Sequence, residues 1–325
     1  MNSRRTLLSL VGMLGVAVLA AGCSAGGGSP AGFPEKRIDY VLPFDAGGES
    51  DITARLQQEL LTDILGQSVS ISYKPGGGGA LGWSELTRTA PDGYTIMGSN
   101  LPHIILQPML RDDAGYATED IKWVYIFQST PNALLVPADS DIQDLDDFIA
   151  AAQAKPGGLS IGGSGDFTAN HLGALLLEDL ADIDVTYTPF TGTGTAVAAI
   201  LGGHIDGLMS YSPQAIQLDD QVRAIAVATD ERMEALPDVP TFKEQGYDLV
   251  DGAFRGVSVP KDTPDEVVET LRSAFEQVNK DPGLIAAFEE QAFMLENYGP
   301  EEAVELTAER TAVYEDLLDR LGMLD

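Results

Sequence analysis

The chain of 325 residues has one cysteine, Cys23, so no internal disulfide is possible. Basic residues are scarce. There are 19 Lys and Arg against 50 Asp and Glu, and the formal net charge is −31. Such a surface repels nucleic acid and anionic lipid headgroups. It also repels an anionic solute at long range, so any anion site must work through local geometry. Histidine is limited to His103, His171 and His204, with no i,i+4 metal pair. Each reads as structural, and His171, near a helix start, is the one to watch. The acidic cluster Asp139-Asp141-Asp144-Asp146-Asp147 lacks the Asp-x-Asp-x-Asp-Gly calcium pattern and reads as a solvated helix face. There is no Gly-Lys-Ser/Thr for a P-loop and no Gly-x-Ser-x-Gly elbow for a hydrolase. Gly77-x-Gly79-x-x-Gly82 satisfies a dinucleotide glycine pattern. The acid needed about 20 residues later is missing, because Gly98-Ser99-Asn100 stands there. No metal or cofactor is expected.

Long apolar runs are also lacking, except at the start. Arg4 and Arg5 precede an apolar stretch from Leu7 to Ala21, followed by Gly22-Cys23. This reads as a signal peptide over residues 1–22 ending in a lipobox, which makes Cys23 the lipidated first residue of the mature chain. A cysteine carrying lipid leaves no thiol for catalysis. Ser3-Arg4-Arg5-Thr6-Leu7-Leu8 loosely resembles a twin-arginine signal, and the general and twin-arginine export routes both stay open. Residues 23–32 are rich in Gly and Ser and read as a flexible tether. No later run approaches the roughly 18 residues needed to span a bilayer. The expectation is an exported protein anchored by lipid to the outer face of the cell membrane, or periplasmic. Beyond residue 22 the charge is near −33, since residues 1–22 carry two arginines and no acid.

What remains alternates β-rich runs with helical stretches. Strands are expected at Ile38–Pro43, Val69–Tyr73, Tyr94–Met97, Leu134–Pro137, Leu159–Gly162, Val185–Thr188, Ile205–Met209, Ala224–Ala228 and Phe254–Val259. Helices are expected at Asp51–Leu65, Ala80–Ala90, Asp144–Ala154, Ala169–Leu180, Thr195–Leu201, Pro264–Asn279 and Pro300–Leu321. This order predicts α/β architecture with parallel sheets in two lobes. One lobe takes residues 33–133 plus 255–325, the other 134–254, with crossings near Leu134–Val136 and Phe254–Val259.

In open α/β sheets ligands sit beyond the carboxyl ends of strands. Three such ends carry glycine-rich loops before helices: Pro43–Asp51, Lys74–Ala80 and Gly162–Thr168. Glycine lets backbone N–H groups approach a ligand, and a helix start adds partial positive charge. The three loops together point to an anion, carboxylate or phosphate. Arg255 lies in the apolar run Ala253–Val257. It can offer a carboxylate a two-pronged fork, or it can pair with a nearby acid or reach outward to solvent. Both readings stand.

A series of motifs then occurs in order. They are Phe33-Pro34-Glu35-Lys36, Pro43-Phe44-x-x-Gly47-Gly48-x-x-Asp51, Leu65-Gly66-Gln67, Pro75–Gly79 and Ala90-Pro91-Asp92-Gly93-Tyr94, then Leu236–Thr241 and Glu244-x-Gly246. From about Phe33 to the C-terminus the chain resembles the substrate-binding family of tripartite tricarboxylate transporters, the Bug proteins. The resemblance implies a type II periplasmic-binding fold, a Venus flytrap of two α/β lobes. It implies a small carboxylate ligand held between the first two loops, through Phe44, Ala46, Gly47, Gly48, Ser50, Gly77, Gly78 and Gly79, with Ser99 and Asn100 beside them. Ser164, Asp166 and Thr168 would face these from the second lobe, joined by the turn with Gly192 and Thr193. Members that bind amino acids tend to carry an aspartate where this chain has Ser210, which argues against a ligand ammonium. Arg255 resembles an arginine of the tricarboxylate-type branch. Phe167 replaces a usual small residue, which bears on pocket shape. The expectation is a monomeric binding protein, not an enzyme, that delivers a citrate-like di- or tricarboxylate to integral membrane permease subunits. A sensory protein that presents a carboxylate to a membrane receptor is the alternative. An exported enzyme on the same fold would need a nucleophile and a base in reach, and no such set is visible.

Overall fold

The computed structural model describes residues 32–324. The signal segment 1–22, Cys23 and the tether up to residue 31 lie outside the described residues.

The first part of the chain runs β1 (Ile38–Leu42), α1 (Glu49–Leu65), β2 (Val69–Tyr73), α2 (Ala80–Leu86), β3 (Thr95–Leu101), α3 (His103–Leu110) and β4 (Ile121–Pro137). The middle runs α4 (Leu145–Ala154), β5 (Ser160–Gly163), α5 (Ala169–Ala181), β6 (Thr186–Pro189), α6 (Thr193–Leu201), β7 (Gly207–Tyr211), α7 (Ser212–Gln217) and β8 (Val222–Val227). The chain then returns through β9 (Gly252–Pro260), α8 (Asp265–Val278), α9 (Pro282–Glu290), β10 (Met294–Tyr298) and α10 (Pro300–Arg320).

The strands pair in the order β2-β1-β3-β9-β4-β7-β5-β6, with β8 and β10 also bound to β4. Each end of this array is parallel, as the alternating pattern predicts: β1 with β2 and β3, and β5 with β6 and β7. The middle is antiparallel. β9 returns between β3 and β4 and runs opposite to both.

Packing follows the two-residue period of a strand. Tyr40 and Tyr125 join one apolar cluster while their neighbours Val41 and Ile126 join the cluster on the other face. Leu134 and Val136 join one cluster of the second half, Ala133 and Leu135 the other. Helices therefore cover both faces, and these strands read as near-continuous apolar runs.

Five elements, β4, α3, α7, α9 and β10, differ from the sequence expectation. The strand expected at Leu134–Pro137 begins at Ile121 and runs for 17 residues. Its middle, Gln128-Ser129-Thr130-Pro131-Asn132, is polar and hides the strand pattern. Yet Gln128, Thr130 and Asn132 are fully buried there. α3 contains Pro108 and follows Pro102, and its first five residues are all buried, so no amphipathic stripe marks it. α9 and β10 fill the stretch before α10, where β10 is largely exposed and its alternation weak. Other boundaries shift by a few residues. α1, for example, starts at Glu49 because Gly48 is already extended as its cap.

Candidate functional site

Three helices begin around one small cavity. α1 contributes Glu49 and Ser50 with Gly48 just before them, α3 contributes His103, and α6 contributes Thr193. The first amide groups of a helix have no carbonyl partner within it. Aligned peptide dipoles leave about half a positive charge at each start. Such starts, brought together, favour an anion. Phe44, Asp45, Asn100, Ser164, Tyr211 and Arg255 complete the lining. The cavity holds about 10 Å³, which is room for about one water.

Arg255 and Glu49 are the charged centre of this cavity, each with a side chain 3 % exposed. Arg255 lies on β9 opposite Asn100 of β3 and Gln128 of β4. Its guanidinium donates to Thr130 Oγ1, lies 4.5 Å over the Tyr211 ring, and sets Nη2 3.6 Å from Glu49 Oε2. Glu49 Oε2 also accepts from Thr193 Oγ1 at 2.9 Å, and Glu49 Oε1 accepts from Gln214 Nε2 at 3.3 Å. The two sequence readings of Arg255 thus meet: it faces the cleft and it pairs with an acid. Among the described residues its Nε has no partner, nor does the buried Ser210 Oγ. Burial, and then the charge of Arg255, push the His103 imidazole well below its ordinary value. His103 is therefore neutral here, stacked edge-on to Phe44, with Nε2 3.4 Å from the Tyr211 hydroxyl.

Of the expected ligand residues, Phe44, Gly48, Ser50, Asn100, Ser164, Thr193 and Arg255 come together at this cavity. The others lie nearby and are occupied otherwise. Ala46 and Gly47 are exposed, and the Gly47 N–H donates to Asp51 Oδ2 at 2.8 Å. The Ser99 hydroxyl is 2.5 Å from that of Ser258. Thr168 caps α5, accepting from the His171 N–H and donating to the Gly165 carbonyl. Ser210 lies on β7, one residue before Tyr211. Asp166 presents its carbonyl to Gln107 Nε2 at 2.6 Å. Phe167 stacks on His171 and does not line the cavity.

The glycines at Gly77, Gly78, Gly79 and Gly192 let loops meet one another. Gly78 has φ +61, and a Cβ there would stand 2.2 Å from Gln107 Nε2 and 2.5 Å from the Asp166 carbonyl. Gly165 faces the Gly78 Cα across the same gap. A Cβ on Gly192 would stand 3.1 Å from the Asp45 amide nitrogen. Thr191 also donates to the Asp45 carboxylate. The second loop therefore meets the third, and the first meets the turn before α6.

Sequence reasoning missed Asp45, Glu49, His103, Tyr211 and Gln214. Glu49 reads as an ordinary acid of the first glycine loop, two residues before the expected helix start at Asp51, and nothing local marks it as buried. His103 reads as structural in the sequence because it forms no i,i+4 metal pair, and its helix carries no amphipathic stripe to mark it. Tyr211 is the last residue of β7, two beyond the expected strand end at Met209, and nothing in the sequence marks it. Among the described residues, no three His, Cys, Asp or Glu groups are placed to hold a metal ion.

A family profile described as "Tripartite tricarboxylate transporter family receptor" matches residues 53–323. The chain belongs to this receptor family, the Bug proteins. A Pseudomonas sp. (strain P51) relative, the UPF0065 protein of the tcbD-tcbE intergenic region, is 30% identical over 294 residues, 88% of this chain and 86% of its own. A solved periplasmic transporter protein is 32% identical with a TM-score of 0.85, covering 90% of this chain and 99% of its own. MatC from Rhodopseudomonas palustris, solved with bound malate, is 27% identical with a TM-score of 0.84, covering 88% of this chain and 100% of its own. The receptor accordingly has the α/β periplasmic-binding fold and is a binding protein of a transporter, not an enzyme.

The receptor also has a roomier cavity of about 590 Å³, walled by Met233, Val250, Phe254, Phe293, Met294 and Arg310 among others. β9 presents Phe254 to it and Arg255 to the small cavity. Among the described residues, none of the glycine loops and no helix start of the small cavity lines it.

Proposed function

We propose that this receptor captures a small carboxylate between its two halves and hands it to the membrane subunits of a tripartite transporter. The observation that carries this is the meeting of three helix starts at one small cavity with a buried arginine in its wall. That wall is a carboxylate's complement: dipoles and hydrogen-bond donors where the charge would rest. The 27%-identical MatC was solved with bound malate, which supports the same class.

The proposed lobes are residues 33–133 with 255–325, and 134–254. Pairing within β4 supports them, since Ile121–Pro131 pair with β9 and Asn132–Pro137 with β7 and β8. Contacts from Thr191, Thr193 and Gln214 to Asp45 and Glu49 tie the halves at one side of the cleft. Gln107 to Asp166 and Phe167 ties them at the other. The cavity is smaller than a carboxylate, so entry requires the halves to part. Closure then trades the direct contacts for contacts through the ligand. The ligand shifts the open–closed balance by its preference for the closed form. Attachment to the membrane would rest on lipid at Cys23.

A citrate-like charge is the finer sequence expectation. It meets one arginine whose charge Glu49 already answers, so the proposal is carried at the level of the carboxylate group. Calorimetry with malate, adipate and citrate tests it. If none binds the mature protein while sugars or inorganic phosphate do, the reading fails.

A further inference from the structure

The cleft holds more than an anion site, because it contains a carboxylate of its own. Glu49 is 2 % exposed as a residue, and its two oxygens meet three donors, from Thr193, Gln214 and Arg255. Those donors come from α6, α7 and β9, so the carboxylate sits where the two halves touch. A second carboxylate placed beside it would face a like charge in a poorly hydrated space, which is strongly unfavourable.

The pair Glu49–Arg255 presents an anion and a cation 3.6 Å apart. Its complement is a cation and an anion at similar spacing on one small molecule, as on the ammonium and carboxylate of an α-amino acid. Inserted head to tail, the ligand carboxylate meets the Arg255 guanidinium and the ligand ammonium meets Glu49. Four charges then alternate, and no buried charge is left unanswered. Among the described residues, Arg255 Nε has no partner, so it is free to be directed at such a carboxylate.

Resting on the proposed carboxylate function, we infer that Glu49 is the specificity-determining residue of this cleft and selects an α-amino carboxylate over a carboxylate lacking the ammonium. The sequence expectation ran the other way, because Ser210 stands where a counter-charge would be looked for. The counter-charge enters from the first turn of α1 instead. Thr193 and Gln214 act as positioning residues, holding the Glu49 carboxylate toward Arg255.

The test uses matched pairs that differ by the ammonium group alone: L-aspartate with succinate, and L-alanine with propionate. Titration calorimetry on the mature protein gives the dissociation constants, with thermal unfolding as a second readout. The amino acid of at least one pair binds at least about thirtyfold more tightly than its partner, the lower range for a buried, hydrogen-bonded charge pair. Glu49→Gln removes the charge and keeps the shape, so it collapses that preference to within a few-fold, while circular dichroism confirms that the variant folds. If in wild type both succinate and propionate bind within a few-fold of their amino acids, the inference is overturned and the carboxylate reading stays intact. Preference for the amino acid that survives in Glu49→Gln also overturns it. Binding of neither kind of acid, with binding of a sugar or inorganic phosphate, sinks the carboxylate reading itself.

Discussion

β9 faces two cavities with consecutive residues. Phe254 borders a space of about 590 Å³ and Arg255 a space of about 10 Å³. The larger has apolar walls and a scatter of acids; the smaller has three helix starts and a buried ion pair. Volume measures only the empty space at each place. It does not measure what a place can bind. Convergent polar groups do, because each must find a partner when water leaves. The two residues therefore give the sharpest test. Arg255→Ala leaves Glu49 buried without its cation, and carboxylate affinity falls by about a hundredfold in calorimetry. Phe254→Ala changes that affinity by less than about threefold while stability falls by about 2 kcal/mol in denaturant unfolding. Equal effects on affinity would erase the distinction between the two cavities.

The next largest effect probes closure. Gly78→Ala places a methyl against Gln107 and the Asp166 carbonyl, at a φ of +61 that a side chain rarely adopts. The halves must part to admit it. Affinity for the carboxylate weakens by about tenfold, since a smaller fraction of the receptor is closed and competent. Small-angle scattering of the ligand-bound variant shows a larger radius of gyration than wild type. The rear cavity, which Gly78 does not border, predicts no such change.

Much of this was legible in the sequence, for physical reasons that also mark where legibility ended. The helices after glycine loops were readable because glycine and apolar periodicity are local signals. So were the parallel ends of the sheet. β4 was half read because its polar centre serves the cleft. Thr130 accepts from Arg255, Gln128 accepts from Thr53, and Asn132 donates to Ala169 and Asp251. A strand whose middle side chains answer distant partners does not look like a strand. Arg255 was readable as an oddity in an apolar run, whereas Glu49 was not, since an acid in a loop before a helix is ordinary. Its burial comes from Thr193 and Gln214, 144 and 165 residues away. The glycines were read as facing a ligand, and several face other loops instead. Both uses need a missing side chain, and sequence does not separate them.

The larger cavity should answer to pH. Asp251, half-buried at its wall, has a carboxyl pushed up to about 7, chiefly by burial, against the smaller opposing effects of the Gly252 amide and Arg310. The unfolded chain keeps this group in the ordinary range near 4. Between about pH 4 and 7 the folded form holds a proton here that the unfolded form lacks. The contribution of this group to stability therefore falls as pH rises through that window. Asp251→Asn flattens that part of the curve of melting temperature against pH. An unchanged slope would show that the carboxyl is well hydrated through the cavity.

The smallest effect separates two readings of one residue. Thr168 was expected to touch the ligand from the second half of the molecule. In the fold its hydroxyl donates to the Gly165 carbonyl at 2.9 Å and accepts from the His171 N–H at 3.4 Å. It is fully buried and closes the start of α5. A capping hydroxyl contributes about 1 kcal/mol, which in a chain of this size moves the melting temperature by about 2–4 °C. Thr168→Ala should show that shift with carboxylate affinity unchanged within about twofold, and Thr168→Ser should restore the melting temperature. A loss of affinity in the alanine variant larger than its loss of stability accounts for would return Thr168 to the ligand. The small cavity would then extend behind the third loop, where Gly165 now stands against Gly78.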